Sequence, residues 1–126
     1  MKQVISTDKA PQAIGTYSQA VRVKETLYIS GQIGLKPGES DWVSDDFEQQ
    51  TRQVFQNLSA ILQAAGGDLL DLVKITVYVT DLKNFNQLNT VMAEFFDAPY
   101  PARAAVEVSG LPKGALVEIE GVALLD

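Results

Sequence analysis

The feature that most constrains this chain is a strictly alternating segment, Val73-Lys74-Ile75-Thr76-Val77-Tyr78-Val79, which lies between two helical patterns. Alternation with a period of two is typical of a strand with one buried face. The apolar members, from Val73 to Val79, are therefore predicted to face a core, and Lys74, Thr76 and Tyr78 the opposite side. A strand between two helices in a chain of 126 residues favours helices packed against a sheet.

The two flanking patterns are predicted to be amphipathic helices. Apolar residues recur at steps of three and four over residues 47–65. Asp45, with a glutamate three positions later, predicts a capped start for this helix, and Gly66-Gly67 predicts a left-handed end. The second pattern runs from Leu82 to Phe96 with Phe85 on its apolar side, and two prolines prevent its continuation.

The remaining apolar runs are short and predict strands joined by turns and loops. Strands are predicted at residues 4–6, 20–23, 27–32, about 103–108 and about 116–124, with a tight turn at Lys24-Glu25 and a surface loop over 33–44. This order predicts an α+β fold in which two helices cover one face of a sheet. Since the chain has no repeat or linker, residues 1–126 are expected to form a single domain.

The last two predicted strands carry charged residues at alternating positions. Alternate residues of a strand point to the same face of the sheet. One strand therefore presents Arg103, Ala105 and Glu107 together, and the other presents Glu118 and Glu120. All five are expected on the sheet face that the helices leave free. An arginine can hold a carboxylate through two parallel hydrogen bonds, and a nearby glutamate can position water. The same arrangement also fits an ion pair on a solvated surface, typically worth ~0.2 to 1 kcal/mol.

Four further residues are candidates for a ligand site. Tyr17 and Ser30 are polar groups near the predicted first hairpin, and Gly31 permits close approach of the backbone. Asn89 on the second helix has a side chain able to reach a ligand. Each also has a structural explanation: Tyr17 at a core edge, Ser30 at a strand end, and Asn89 in a surface hydrogen bond.

Composition excludes several classes of function. The chain has no histidine and no cysteine, so the chemistry must come from arginine, carboxylate, hydroxyl and backbone groups. The net charge of -6, without a basic cluster, opposes binding to nucleic acid. The acidic pairs lack the spacing of a calcium loop, and we expect no metal and no cofactor. No segment has the apolar length of a signal peptide or membrane span, which favours a cytoplasmic protein.

Several separated segments together resemble the Rid (YjgF-like) family, and they look closest to its RidA group. The resemblance covers essentially the whole chain, in order and with compatible spacing. It is carried by residues 13–20 (AIGTYSQA), 27–33 (LYISGQI), 57–66, 73–79 (VKITVYV), Asn89, 101–103 (PAR) and 117–120 (VEIE).

This resemblance implies a fold, an assembly and an activity. The implied fold is a chorismate-mutase-like subunit, a mixed sheet with two helices on one face, in a homotrimer whose interior receives the other face. Ligand sites then lie between subunits. The implied activity is hydrolysis of enamine and imine intermediates, such as 2-aminoacrylate and 2-aminocrotonate, to 2-oxo acids and ammonia, which protects pyridoxal-phosphate enzymes. Alternatives are a non-catalytic binder of small 2-oxo acids and a ribonuclease or translation inhibitor, the latter opposed by the acidic charge.

The resemblance also implies roles for individual residues. Arg103 would clamp the substrate carboxylate, and Glu118 would orient the attacking water, with its pKa depressed by the nearby arginine. The complete implied set is Arg103, Glu118 and Tyr17 as catalytic residues, and Ser30, Gly31, Asn89 and Ala105 as substrate-binding residues. The sequence departs from the family pattern at Thr16, where proline is frequent, at Ala105, where cysteine is frequent, and at Met92, where tyrosine is common.

Overall fold

The structure, a computed structural model, describes residues 1–38 and 42–126. Within these ranges two α-helices and six strands follow one another in the predicted order. The strands are β1 (Gln3–Ile5), β2 (Ala20–Val23), β3 (Thr26–Gln32), β4 (Leu72–Val79), β5 (Ala102–Glu107) and β6 (Val117–Leu124), and the helices are α1 (Phe47–Ala64) and α2 (Phe85–Phe95).

The strands form one mixed sheet, as predicted, in the order β1-β2-β3-β6-β4-β5. Among these pairs only β4 and β5 are parallel. The helix α2 connects them and returns the chain to the end of the sheet at which β4 began, so β5 runs in the same direction as β4. The predicted hairpin of β2 and β3 is confirmed, and Lys24 adopts a positive φ of 55° in its turn. β5 is an edge strand, which leaves residues on it open to a partner.

Both helices pack on the same face of the sheet, as predicted, and bury the core there. Phe55, Leu58 and Leu62 of α1 are fully buried, as are Ile75 and Val77 of β4. The Phe55 ring lies 5.3 Å from that of Phe95 and 5.4 Å from that of Phe96, centroid to centroid. Such aromatic contacts fix α2 against α1 and thereby fix the position of the α2 surface that borders β5.

The predicted orientation of Val73 is wrong because β4 contains a β-bulge. Leu72 pairs with Ala123 and Lys74 with Val122, so one extra residue is accommodated at Val73. Leu72 occupies the core position, and Val73 is 47% exposed. From Ile75 onward the predicted alternation is confirmed.

The ends of the helices follow the predicted chemistry with two changes. The cap of α1 is Asp46, not Asp45, and its carboxylate accepts a hydrogen bond from the Gln49 amide at 3.0 Å. Gly66 has the predicted left-handed conformation, with φ of +89°. The second helix begins later than predicted, since Leu82–Asn84 forms a 3-10 turn before α2.

Part of the predicted surface loop is held against α1. Leu35 and Trp42 form an isolated β-bridge, and the buried Asn57 amide donates to the carbonyl oxygens of Ile33 and Leu35 at 3.2 and 3.0 Å. Residues 39–41 of that loop lie outside the described residues. No helix within the described ranges has the length and apolar character required to cross a membrane.

Candidate functional site

Arg103 lies at the edge of the sheet, on the side that carries the helices. It pairs with Ile75 across the parallel β4–β5 ladder, and the Ile75 side chain is buried beneath the helices. One guanidinium nitrogen, Nη1, donates to Asn89 Oδ1 at 2.7 Å and approaches Met92 Sδ at 3.3 Å. The guanidinium carbon lies 5.0 Å from the centroid of the Phe85 ring, a cation–π distance.

The three residues that hold Arg103 come from one stripe of α2. Phe85, Asn89 and Met92 are four and three positions apart, so they align on the same side of the helix. The guanidinium opens into a cavity of about 350 Å³ that is also lined by Tyr100 and Pro101. Among the residues that the structure describes, no carboxylate lies within ion-pair distance of Arg103. The arginine is thus fixed in place while its charge is available to an anion.

Glu118 lies on the opposite face of the sheet and belongs to a different cleft. Its position on β6 pairs with Tyr78 of β4, and it alternates with the core residues Val117 and Ile119. The cleft has a volume of about 380 Å³ and combines apolar walls with a few polar groups. Its lining residues are Ile14, Tyr17, Ser30, Gly31, Ile33, Pro112 and Glu118.

A bulge in β3 brings two of these residues to the cleft. Ile29 pairs with Gly121 but Gln32 pairs with Ile119, so Ser30 and Gly31 together occupy the interruption in the register. Glu118 lies directly over Gly31: a Cβ on this glycine would approach Glu118 Oε2 to 2.5 Å. Glycine is therefore required at position 31 for the observed position of the carboxylate.

Hydrogen bonds determine which polar atoms in the cleft are available. Ser30 Oγ donates to the Ser18 carbonyl at 2.6 Å, so its proton is used and its lone pairs remain. The Tyr17 hydroxyl accepts from the Ile14 amide at 3.4 Å, which leaves its proton free to be donated. The cleft thus presents an acceptor at Ser30 and a donor at Tyr17.

The pKa of Glu118 is raised, contrary to the predicted depression. Burial of the carboxyl group is the main cause, and the negative charge of Glu120 is the second. Tyr78 donates its hydroxyl to Glu120, and this hydrogen bond is the main reason that the pKa of Tyr78 is also raised. Among the described residues, no arginine forms an ion pair with Glu118.

The predicted placement of Arg103 and Glu118 on one sheet face is wrong. The two strands that carry them are separated by β4, so the residues are about 10 Å apart across the sheet and about 10 Å apart along it. Their side chains also leave opposite faces. Alternation shows which residues of one strand share a face, but it does not show which face of one strand corresponds to which face of another. That correspondence depends on the register of β5 and of β6 with β4.

The candidate residues thus form two half-sites. The Glu118 half-site contains Glu118, Tyr17, Ser30 and Gly31, and the Arg103 half-site contains Arg103 and Asn89. Ala105 shares the face of Arg103 and packs against the core. Sequence reasoning missed Ile14, Pro112 and Tyr100 as lining residues and gave Phe85 a core role, although it is 37% exposed. The spacing of Phe85, Asn89 and Met92 was the available signal.

The described residues contain no group of three or more acidic side chains that could hold a metal ion. A site built from arginine, glutamate, tyrosine and serine is suited to binding a small carboxylate and transferring protons.

The fold and the two half-sites define a known class of protein. The chain matches the family described as Endoribonuclease L-PSP over residues 7–125, and it belongs to that family. The crystal structure of RidA from an Antarctic Psychrobacter species superposes with a TM-score of 0.95 and 53% identity, covering 98% of this chain and 99% of that one. The resemblance to the RidA group and the predicted fold are both confirmed.

Relatives with curated names extend the comparison. The human protein named 2-iminobutanoate/2-iminopropanoate deaminase is 48% identical over 124 residues, which cover 98% of this chain and 90% of that protein. A RutC family protein of Pyrococcus horikoshii is 50% identical over 123 residues, which cover 98% of each chain.

Proposed function

We propose that this protein hydrolyses 2-imino acids and their enamine tautomers to 2-oxo acids and ammonia, at sites formed between the subunits of a homotrimer. The observation that carries the proposal is the Arg103 guanidinium, which Asn89, Met92 and Phe85 hold at a cavity without an ion-pair partner among the described residues. An arginine held in this way is ready to take up the carboxylate of a small substrate. The names of the relatives support the imine as the reacting group.

The separation of the two half-sites supports assembly between subunits. A substrate of three or four carbon atoms does not span two residues that are two strands apart on opposite faces. In the proposed trimer, which is a closed ring with head-to-tail interfaces, the β5 edge of one subunit would meet the free sheet face of the next. That face exposes apolar side chains, since Val4 is 59%, Tyr28 54% and Leu124 56% exposed, and such a surface favours burial against a partner.

The chemistry follows from the groups in the two half-sites. Arg103 of one subunit holds the substrate carboxylate, and Glu118 of its neighbour lies beside the imine carbon. Glu118 takes a proton from water as the oxygen adds to that carbon, since a carboxylate within reach of the water can act as a general base. The Ser30 lone pairs accept from the iminium N–H, and the Tyr17 hydroxyl donates a hydrogen bond to the oxygen that adds to the imine carbon.

The atoms balance without a cofactor. Addition of water forms a C–O bond, and the electron pair of the C=N double bond moves to nitrogen. Glu118 returns its proton to that nitrogen, and the C–N bond breaks as the hydroxyl oxygen forms the C=O double bond. The hydroxyl proton passes to Glu118 and from there to the departing ammonia, so the products are a 2-oxo acid and an ammonium ion. A protonated imine is electrophilic by itself, so positioning and proton transfer are sufficient. The Gly31 backbone and the Ala105 carbonyl complete the proposed substrate contacts.

The proposal includes the setting of the reaction. The substrate is a small molecule bearing a carboxylate, and nucleic acid is not expected as a partner because the net charge is -6. Residues 1–126 act as one domain of the RidA type, and the cytoplasm is the proposed location because pyridoxal-phosphate dehydratases release such short-lived imines there.

A coupled assay tests the proposal. A serine dehydratase generates 2-aminoacrylate, and pyruvate formation is followed with and without the protein. We expect acceleration, with kcat/KM reduced on the order of 10²-fold or more in Arg103→Ala, because a fixed charged partner of the carboxylate is lost. Arg22→Ala removes the same charge about 19 Å away across the sheet and is expected to behave as wild type.

Two results would count against the proposal. Absence of acceleration would exclude the deaminase, and pyruvate binding without acceleration would identify a binder of 2-oxo acids. An equal loss in Arg103→Ala and Arg22→Ala would show that charge in general, and not the Arg103 clamp, supports the activity.

A further inference from the structure

The segment from Thr7 to Ser18 is held in place although it contains neither helix nor strand. It connects β1 to β2, and Ile14 and Tyr17 within it line the Glu118 cleft. Backbone of this kind needs side-chain partners to keep one conformation. The side chain that provides the largest number of them is Gln19, which is only 3% exposed.

The Gln19 amide bonds to the backbone at the base and in the middle of this segment. Its Oε1 accepts from the Thr7 amide at 2.7 Å. Its Nε2 donates to the carbonyl oxygens of Thr7 at 3.1 Å and Pro11 at 2.7 Å, with that of Ala10 further away at 3.4 Å. One side chain therefore connects points that are twelve and eight residues away along the chain.

Only a primary amide of this length satisfies the arrangement. The Thr7 amide requires an acceptor, whereas the Thr7 and Pro11 carbonyls require a donor. A glutamate would match the shape but would direct an oxygen at two carbonyl oxygens. A methionine would match the length but leave buried polar groups without partners, and an asparagine would be one methylene too short.

The backbone of Gln19 connects the same segment to the bulge of β3. The Gln19 carbonyl accepts from the Ser30 amide at 2.9 Å, and the adjacent Ser18 carbonyl accepts from Ser30 Oγ at 2.6 Å. Ser30 is followed by Gly31, over which Glu118 lies. Gln19 is consequently bonded both to the segment that carries Tyr17 and to the strand that supports Glu118.

We propose that Gln19 is a positioning residue that fixes the segment 7–18 as one wall of the cleft and so holds Tyr17 at the substrate. The inference rests on the proposed function for its effect on catalysis. Its effect on the segment itself follows from the hydrogen bonds alone and is measured separately.

The test compares Gln19→Glu with Gln12→Glu in otherwise intact protein. Both variants make the same chemical change in the same region, but Gln12 is exposed and makes one bond, at 3.3 Å, to the Thr7 carbonyl. We expect amide exchange over residues 7–18 to accelerate in Gln19→Glu and not in Gln12→Glu, with exchange in α1 and β4 unchanged. Gln19→Met, which is neutral, repeats the measurement without the added charge.

Kinetics separate a positioning role from general destabilisation. We expect kcat/KM for 2-aminoacrylate to fall about tenfold in Gln19→Glu, because a displaced wall misplaces Tyr17. In a Tyr17→Phe background the same substitution should reduce kcat/KM far less, since the hydroxyl group that Gln19 positions is already removed. An equal loss in both backgrounds, or unchanged exchange over residues 7–18 in both Gln19 variants, would overturn the inference.

Failure of the proposed function has a different signature. If the wild-type protein does not accelerate deamination, the dissociation constant for pyruvate is measured in place of kcat/KM. The amide-exchange measurement is unaffected. Accelerated exchange with weakened pyruvate binding in Gln19→Glu would then support the positioning role without the deaminase.

Discussion

The two half-sites are built from different ranges of the chain. Arg103 contacts residues of the helix that immediately precedes its own strand, and its bond to Asn89 spans 14 positions. Glu118 lies among residues from the other end of the chain, since Tyr17, Ser30 and Gly31 come from its first quarter. One half-site is local in sequence, and the other depends on how distant strands pair.

This difference has consequences for chemistry. The Arg103 charge is fixed in position by a hydrogen bond, a sulfur contact and an aromatic ring. The Glu118 carboxyl group has a pKa that responds to burial and to Glu120. The Arg103 half-site is therefore suited to binding, and the Glu118 half-site to proton transfer.

The largest expected effect is recovery of activity when two inactive variants are mixed. Arg103→Ala subunits keep an intact Glu118 half-site, and Glu118→Gln subunits keep an intact Arg103 half-site. If neighbouring subunits share each site, every mixed trimer has one junction with both halves intact. Random mixing should restore about a quarter of wild-type activity, measured by pyruvate formation after unfolding and refolding the proteins together.

The control is refolding of each variant alone, followed by mixing without exchange of subunits. Activity should then stay at the level of the separate variants. If co-refolding also gave no recovery, the two half-sites would have to act within one subunit, which the separation across β4 opposes.

The secondary structure that carries the local half-site was predictable, but the sheet face of Arg103 was not. The strands and the two helices follow from periodicity, and most were predicted to within a few residues. Arg103, however, was predicted on the face that the helices leave free, and it lies on the face that they cover. The hydrogen bond between Asn89 and Arg103 was not predicted, although both residues were identified. Their alignment depends on β5 running parallel to β4, which becomes apparent only once the strand order is known.

The distant half-site was accessible only through the family resemblance. Spacing gives no reason for Tyr17, Gly31 and Glu118 to meet, because this requires the register of β3 with β6 and the bulge at Ser30. The bulge at Val73 was missed for the same reason, since a single extra residue reverses the parity of a strand without changing its composition. The electrostatics of Glu118 depend on burial, which sequence alone does not supply.

The second prediction changes the distant half-site through its backbone. In Gly31→Ala the new methyl group would meet Glu118 Oε2 at 2.5 Å, so the carboxylate must move. The atoms that must move are at the end of the flexible Glu118 side chain, so we expect little loss of folding stability. Displacement of Glu118 should reduce kcat/KM about ten- to a hundredfold in the 2-aminoacrylate assay.

The control for this variant compares the effect of Gly31→Ala on kcat/KM in the wild type and in Glu118→Gln. Once Glu118→Gln has been made, adding Gly31→Ala should cost little more, because both changes act on the same group. Independent losses that multiply would show that Gly31 contributes through its own backbone and not through Glu118.

The third prediction concerns a substitution that weakens the local half-site by placing a carboxylate next to Arg103. Asn89→Asp places a carboxylate at the atom that now accepts from Nη1 at 2.7 Å. The new ion pair competes with the substrate, so KM should rise about tenfold or less while kcat changes little. Asn86→Asp adds the same charge at an exposed position one turn earlier on α2 and should leave KM unchanged. A fall in kcat at unchanged KM would contradict a binding role for Arg103.

The smallest expected effect is a change in how stability depends on pH, and it joins the two half-sites. With its pKa raised, Glu118 contributes stability that is present below its unfolded pKa and is lost as pH rises through the folded value. If neighbouring subunits share the site as proposed, the guanidinium of the neighbouring Arg103 lowers that pKa and opposes the loss. Glu118→Gln should therefore stabilise Arg103→Ala more than it stabilises the wild type as pH rises from about 4 to 7. Urea unfolding of the four proteins across this range measures the difference, and identical pH profiles in both backgrounds would mean that Arg103 and Glu118 do not meet.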